Sequence, residues 1–252
     1  MFRADEDRLN AGWYELLGRE ISCDGAEAKY FLVQLLRDRH WLGLSKQDVE
    51  YWVSRFGMTA RAVGLAIREL SAAGYIYPKV IASGKRGKPA RAMEVCGSVN
   101  DLLAMSDGTQ KNKNNRAHDL PPPPPLWHGE LIDQLLEPDL VKGFDAPRFG
   151  SNGRAAVMAA KRHKLGLAGR LLLAVLLRFA DEYGVVRCLG RSELSRLTGM
   201  SKERLSSQLD CLQKEGYLYA VVAGVSTSGL IRVGKGAFFL NLKHSAYAAV
   251  AA

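Results

Sequence analysis

The residues of this chain that are best suited to chemistry are cations at helical spacing. Arg61 and Arg68 stand seven positions apart with Gly64 between them, so a helix would place all three on one face. Guanidinium groups donate paired hydrogen bonds to phosphates and to base edges, which suits them to an anionic partner. Thr59, just before this segment, has the side chain of a helix N-cap. The spacing therefore indicates an anion-binding face.

A second group of cations lies in the glycine-rich loop that follows. Its members are Lys85, Arg86, Lys88 and Arg91. The segments 75–82 and 91–95 on either side are aromatic, β-branched or alternating, which predicts a β-hairpin with the cations near its tip. The competing interpretation is a solvated turn, because glycine and lysine are common in turns. We favour anion binding because the loop follows a helix with an arginine face.

Three helices are expected to position these cations. Residues 26–39 form a strongly apolar segment, and residues 49–56 repeat apolar side chains at helical spacing. Residues 60–73 form the third helix directly after a turn at Gly57, so the last two helices make a helix-turn-helix. Gly64 in the third helix costs about 1 kcal/mol relative to alanine. Either a DNA backbone approaches it closely, or it packs under the hairpin or the second helix.

The same pattern occurs again later in the chain at a constant offset. The turn at Gly57 aligns with a turn at Gly199, and the exit glycine Gly74 aligns with Gly216. The apolar core positions Val63, Ile67 and Leu70 align with Leu205, Leu209 and Leu212. Agreement of a turn, a core and an exit sequence at one offset indicates an internal repeat. The interval is too long for a solenoid, so we expect two domains of one kind.

These patterns divide the chain into a domain at 1–100, a linker at 101–125 and a domain at 126–252. The linker is polar at first and ends in five consecutive prolines, which predict a stiff polyproline II spacer. A proline-rich ligand for another protein is the less favoured interpretation of this run. Residues 1–25 include an amphipathic stretch that fits either a short helix or an added strand.

The two copies differ in the charge of the third helix. Where the first copy has Arg61 and Arg68, the second has Glu203 and Asp210, which phosphates would repel unless they read cytosine amino groups. We therefore expect the first domain to supply most DNA contacts. The second domain is expected to dimerise, to bind a partner protein, or to contact DNA through other cations. Those cations are Lys161, Arg162, Lys164 and Lys202.

The segment 84–91, which follows a helix and the sequence Gly-Tyr-Ile-Tyr, resembles the wing of bacterial winged helix-turn-helix transcriptional regulators. The resemblance covers roughly residues 26–95, with a weaker copy at 165–242. It implies a fold that is mainly α with small β-hairpins (α+β), made of two tandem winged helix-turn-helix domains. It also implies binding of double-stranded DNA, with helix 59–73 in the major groove and the wing 83–91 on the backbone or in the minor groove.

Composition and motifs argue against other classes of function. The chain has 252 residues, 47% of them hydrophobic, which is typical of a folded protein. It contains no phosphate loop, GxSxG or HExxH sequence, and its five histidines and four cysteines lack ligand spacing. We therefore expect no enzyme, no metal site and no cofactor, with reduced and mostly buried cysteines. A charged first segment and a short apolar run at 171–177 predict neither a signal peptide nor a membrane span.

The expected function is sequence-specific binding of double-stranded DNA in transcriptional regulation, in the cytoplasm and associated with the nucleoid. The net charge of +9 supports this because, within the first domain, the positive charge concentrates on the helix and hairpin that would meet DNA: residues 57–98 carry seven basic and two acidic residues. The expected contact residues are Thr59, Arg61, Gly64, Arg68, Lys85, Arg86, Lys88, Arg91, Lys161, Arg162, Lys164 and Lys202. Two alternatives stay open, namely a replication initiator of the plasmid or phage type and a tandem winged-helix protein-interaction module. Homodimer formation is open as well.

Overall fold

The structure is a computed structural model that describes residues 12–23, 25–38, 49–81, 90–95, 123–137, 165–222, 224 and 236–244. Within these residues the chain is mostly helical with small antiparallel sheets. This agrees with the predicted mainly α (α+β) class. None of the described helices is long and apolar enough to cross a membrane.

In the first half of the chain, described helices are followed by a β-hairpin. The elements are α1 (residues 12–17), α2 (Ala26–Arg37), α3 (Val49–Phe56), α4 (Ala60–Ala72), β1 (Ile76–Ile81) and β2 (Ala90–Val95). The two strands pair antiparallel in continuous register, from Ile76 opposite Val95 to Ile81 opposite Ala90. The predicted order of a helix, a helix-turn-helix and a hairpin is therefore present. The open choice for residues 1–25 is settled for residues 12–17, which are helical.

The second half repeats this order with one additional short strand. Its described elements are α5 (Gly129–Leu136), α6 (Leu167–Phe179), β3 (Val185–Val186), α7 (Arg191–Thr198), α8 (Lys202–Lys214), β4 (Leu218–Val222) and β5 (Ala237–Leu240). The strands form an antiparallel sheet in the order β3-β5-β4. Strand β3 is short, because only Val185 and Val186 pair with β5.

Caps and glycines fix the starts of α4 and α8 in the same way. The Thr59 hydroxyl accepts a hydrogen bond from a backbone N–H of the first turn of α4 at 3.2 Å. Ser201 does the same at the start of α8, also at 3.2 Å. The preceding turns contain Gly57 and Gly199 with φ values of 63° and 69°, a left-handed conformation that favours glycine. The aligned positions of the repeat therefore share their local geometry.

The two halves share one hydrophobic core, in which α2 of the first half packs against α6 of the second. Both helices are buried on nearly all sides, as their apolar sequences predict. The turn before α2 also touches the turn before α8, because the Gly25 N–H donates to the Gly199 carbonyl oxygen at 3.1 Å. A Cβ on Gly199 would lie 3.1 Å from the Gly25 backbone, so this contact requires the glycine.

The last turns of α2 and α6 each carry an arginine that binds the other half. Arg37 of α2 donates to the carbonyl oxygen of Leu136 at 3.2 Å and pairs with Asp133 of α5 at 3.3 Å. Arg178 of α6 donates to the Glu15 carboxylate of α1 at 2.8 Å. Each half therefore holds the N-terminal helix of the other half in place.

One lysine is fully buried between the halves. The Nζ of Lys29 donates to two carbonyl oxygens at the C-terminal end of α1, those of Leu17 at 3.3 Å and Arg19 at 2.6 Å. It also donates to the carbonyl oxygen of Leu197 in the last turn of α7. These are the carbonyl ends of two helices, where a cation is favourable. Burial lowers the pKa of Lys29 from its ordinary value of 10.5 to about 7, while the Glu20 carboxylate favours the charged form.

The structure bears on two further expectations. The three described cysteines form no disulfide, but the expectation that they are mostly buried is wrong: Cys211 is exposed, and Cys23 and Cys188 are half-buried.

Of the proline run, Pro123 to Pro125 lie in the described part, and the carbonyl oxygen of Pro124 accepts a hydrogen bond from Arg178 at 2.6 Å. The end of the linker is therefore docked on α6, and residues 101–122 lie outside the described residues.

Candidate nucleic-acid interface

The outer face of α4 is cationic and its inner face is apolar. The fully buried residues of the inner face are Val63, Ala66 and Leu70. Arg61, Gly64 and Arg68 are exposed on the opposite side. Seven residues of helix span about 10 Å, so the two arginines stand two turns apart with the glycine between them. These three predicted contact residues therefore share one surface, which we call the α4 face.

The guanidinium groups of the α4 face have no ion-pair partner in the part of the chain that the structure describes. Other arginines are engaged internally, since Arg37, Arg178 and Arg204 pair with carboxylates of other elements. An arginine without an internal partner keeps its five N–H donors for an external ligand. Arg61 and Arg68 are therefore available to an anion.

Gly64 leaves an open space on this face. A Cβ atom at Gly64 would meet no described atom within 4 Å. Packing of Gly64 under α3, one of the two alternatives raised by the sequence, is therefore wrong for the described residues. The backbone of α4 is accessible between the two arginines, so a flat or convex partner can approach it closely.

Thr59 lies at the N-terminus of α4 and has a structural role there. Its hydroxyl caps the helix, and the residue is exposed. The first turn of a helix presents backbone N–H groups without intrahelical partners and the positive end of the helix dipole. An anion at this end of the α4 face would meet those groups as well as Arg61.

The predicted wing is described only in its strands. Residue 91 belongs to β2 and its backbone pairs with Val80 of β1. Lys85, Arg86 and Lys88 fall between the two strands and outside the described residues, so their prediction stays a prediction. The same holds for Lys161, Arg162 and Lys164, which precede α6.

The matching surface of the second copy is acidic. Glu203, Ser207 and Asp210 are exposed on α8, and Ser206 between them is partly exposed; we call these four residues the α8 face. Hydrogen bonds from its own backbone amide and from Ser201 hold the pKa of Glu203 below its usual value, so it is ionised at neutral pH. Lys202 is exposed at the first position of α8, next to this acidic surface.

Two arginines of the second half, which were not among the predicted contact residues, contribute to the surroundings of the α8 face. Arg204 pairs through two nitrogens with the Glu27 carboxylate at 2.6 and 3.1 Å, which fixes α8 to the start of α2. Arg191 is exposed at the first position of α7, and its Nη1 lies 3.5 Å from the Ser206 hydroxyl. The position of Arg191 at a helix start was readable from the sequence, whereas the partner of Arg204 was not.

The α4 face offers noncovalent anion binding by arginines around an accessible backbone. Among the residues the structure describes, no group of three or more histidine, cysteine or carboxylate side chains is arranged to hold a metal ion. No family model matches the chain, and no curated protein or solved structure matches it significantly.

Proposed function

We propose that this chain is a sequence-specific double-stranded DNA-binding protein with two tandem winged helix-turn-helix domains, acting in transcriptional regulation. In this proposal α4 enters the major groove, and the β1–β2 hairpin with its basic connecting segment lies on the backbone or in the minor groove. The observation that carries it is the α4 face, where two arginines without an ion-pair partner among the described residues lie on either side of a glycine that meets no described atom. The proposed location is the cytoplasm, in association with the nucleoid.

The order of elements supports the proposed fold in both halves. In the first half the helix-turn-helix of α3 and α4 is followed directly by a two-stranded hairpin. In the second half α7 and α8 are followed by β4 and β5, with β3 completing a small sheet. This is the order that places a recognition helix beside a wing.

The second domain is proposed to have a different role from the first. The acidic α8 face is unsuited to phosphates, so it favours binding to a protein over binding to DNA. This observation keeps a protein-interaction role open for the second domain. A replication initiator would use the same α4 face on DNA and is the second candidate for the biological role.

A titration of duplex DNA against salt tests the proposal. Arg61→Ala and Arg68→Ala should each weaken binding by about 1–3 kcal/mol for a base contact, or lower the salt slope by ~1 for a phosphate contact. The measurement is fluorescence anisotropy of a labelled duplex at several salt concentrations. Arg187→Ala is the matched control, because the side chain of this arginine is 75% exposed and the residue lies just after β3, outside α4. Equal affinities and slopes for all three variants would refute the proposal.

Selection of bound sequences from random duplexes would then define the site. A palindromic motif would indicate a dimer, and a direct repeat would indicate successive use of both domains. A single short motif would indicate that only α4 reads bases.

A further inference from the structure

The α4 face and the α8 face carry opposite charges at matching positions. Arg61 and Arg68 are seven residues apart on α4, and Glu203 and Asp210 are seven residues apart on α8. Each pair therefore spans about 10 Å along its helix. If the two helices lie side by side, both arginines meet a carboxylate at the same time. The antiparallel arrangement, with Arg61 opposite Asp210 and Arg68 opposite Glu203, is favoured because it also places the positive end of each helix dipole beside the negative end of the other.

The residues between the charges are small on both helices. In the antiparallel arrangement Gly64 lies opposite Ser207, and both are exposed. Helix axes pack at about 8–10 Å, and small residues at the crossing point allow the shorter distances. Nothing described occupies the space above Gly64. The open space above Gly64 therefore permits the contact that the charges favour, and the Arg191 side chain, whose Nη1 lies 3.5 Å from the Ser206 hydroxyl, borders this contact on the α8 side.

The charged groups of both faces are available for this contact. In the described part of the chain, Arg61, Arg68, Glu203 and Asp210 form no ion pair. Both faces are exposed within one copy, so their complementarity is satisfied only between copies. We infer that the chain associates with itself head to tail, the α4 face of one copy binding the α8 face of the next. Such a contact uses two different surfaces and leaves one of each free at the ends, so it propagates into open chains.

The association should be weak and sensitive to salt. Exposed ion pairs contribute little each, so a dissociation constant of about 0.1–1 mM is expected for one contact. Screening at high ionic strength removes most of this attraction. Duplex DNA and a second copy would compete for the α4 face, although the inference does not depend on DNA binding.

Sedimentation velocity of the full chain tests the inference. At about 50 mM salt the weight-average mass should rise with protein concentration to about twice that of one chain or more, and at about 500 mM salt it should stay at that of one chain. A mass that is independent of concentration in low salt would overturn the inference.

Charge reversal identifies the surfaces. The double variants Arg61→Glu with Arg68→Glu, and Glu203→Arg with Asp210→Arg, should each abolish association on their own. An equimolar mixture of the two should associate again, because the reversed α4 face of one fits the reversed α8 face of the other. The two unreversed faces are complementary as well, so the two variants should alternate along open chains. Association that persists in either double variant, or a mixture that stays monomeric, would overturn the inference.

Matched controls carry the same changes in net charge at exposed positions elsewhere. They are Arg187→Glu with Lys243→Glu, and Glu130→Arg with Glu182→Arg. Both controls should associate like the unmodified chain, and loss of association in them would overturn the assignment of surfaces. Circular dichroism confirms that each variant is folded.

The variant that combines all four reversals separates this inference from the proposed function. Its faces are again complementary, so it should associate with itself, and failure to associate overturns head-to-tail contact without bearing on DNA binding. DNA binding is measured on the double variant Arg61→Glu with Arg68→Glu, which gains no basic face on α8. DNA binding retained in that double variant overturns the proposed role of α4 without bearing on association.

Discussion

Lys29 is a charged residue in the middle of an apolar helix, and its position is explained by its acceptors. A protonated amine has three N–H groups, and the structure places three backbone carbonyl oxygens around it. Two of the carbonyls belong to the first half and one to the second, so a single side chain joins α1, α2 and α7. An apolar residue at this position would leave those carbonyls without a donor.

Lys29→Met should therefore lower the free energy of unfolding by about 2 kcal/mol, since buried acceptors that lose their donor are costly. Chemical denaturation measures the change. Lys202→Met is the control, because that lysine is exposed, and it should change stability by less than about 0.5 kcal/mol. Equal effects of the two substitutions would contradict the assigned role.

The pH dependence of this effect has a definite sign. The pKa of Lys29 is about 7 in the folded chain, against an ordinary value of 10.5. Between these values the unfolded chain holds a proton that the folded chain has released, so the contribution of Lys29 to stability rises with pH above 7. The stability difference between the natural chain and Lys29→Met should increase from pH 7 to pH 9. A difference that stays constant over this interval would show that the ammonium form is retained on folding.

At the scale of the element, α4 is a helix whose inner face builds the core and whose outer face is left for a partner. Its ends are fixed by the Thr59 cap and by Gly74, which has a φ of 75° and is followed by a hydrogen bond from the Tyr75 N–H to the Leu70 carbonyl oxygen. Gly64 is the exception to the helix-favouring residues of α4, because neither a turn nor a close contact with any residue the structure describes explains it.

Gly64→Ala should raise the free energy of unfolding by about 0.5–1 kcal/mol, since alanine favours the helix and the space above it is open. Thermal or chemical unfolding measures this. Gly74→Ala is the matched control and should destabilise the chain, because alanine is strained at positive φ. If DNA approaches Gly64 closely, the alanine variant should bind duplex more weakly despite its greater stability. Loss of stability in Gly64→Ala would contradict the open geometry.

The helices could be predicted from the sequence because their signals are local. Apolar spacing, together with Thr59, Gly57 and the corresponding Ser201 and Gly199, predicted the starts of α4 and α8 to within one residue. The partners of Lys29, Arg37 and Arg178 could not be predicted, since each lies about a hundred residues or more away or is a backbone atom without a sequence signature. For the candidate site, the α4 face followed from spacing alone, whereas the role of Arg204 in fixing α8 required the structure.

At the scale of the whole molecule, the two halves are interlocked through both side chains and backbone. The α2–α6 contact lies in a single core. Arg37 of the first half pairs with a carboxylate of the second half, and Arg178 of the second half pairs with a carboxylate of the first. The Gly25–Gly199 contact and the Arg204–Glu27 pair add links between the helix-turn-helix of the second half and the start of α2. If the halves were separated, the contacting faces of α2 and α6 would be exposed to solvent.

Unfolding should therefore proceed in one cooperative transition and not in one transition for each half. Trp52 is buried in the first half, so in a variant whose three other tryptophans are replaced by phenylalanine its fluorescence reports on that half. Far-ultraviolet circular dichroism reports on the helices of both halves. The two denaturation curves should coincide, as expected for a two-state transition. Curves with separate midpoints would show that the shared core does not couple the halves.

The interlocking of the halves also determines how the molecule responds to dilution. A complex of two separate chains dissociates as the protein concentration falls. Two halves of one polypeptide are held at an effective concentration that dilution does not change. The helix pairs α3–α4 and α7–α8 therefore stay assembled even at a few copies per cell, and only contacts between separate molecules depend on how many are present.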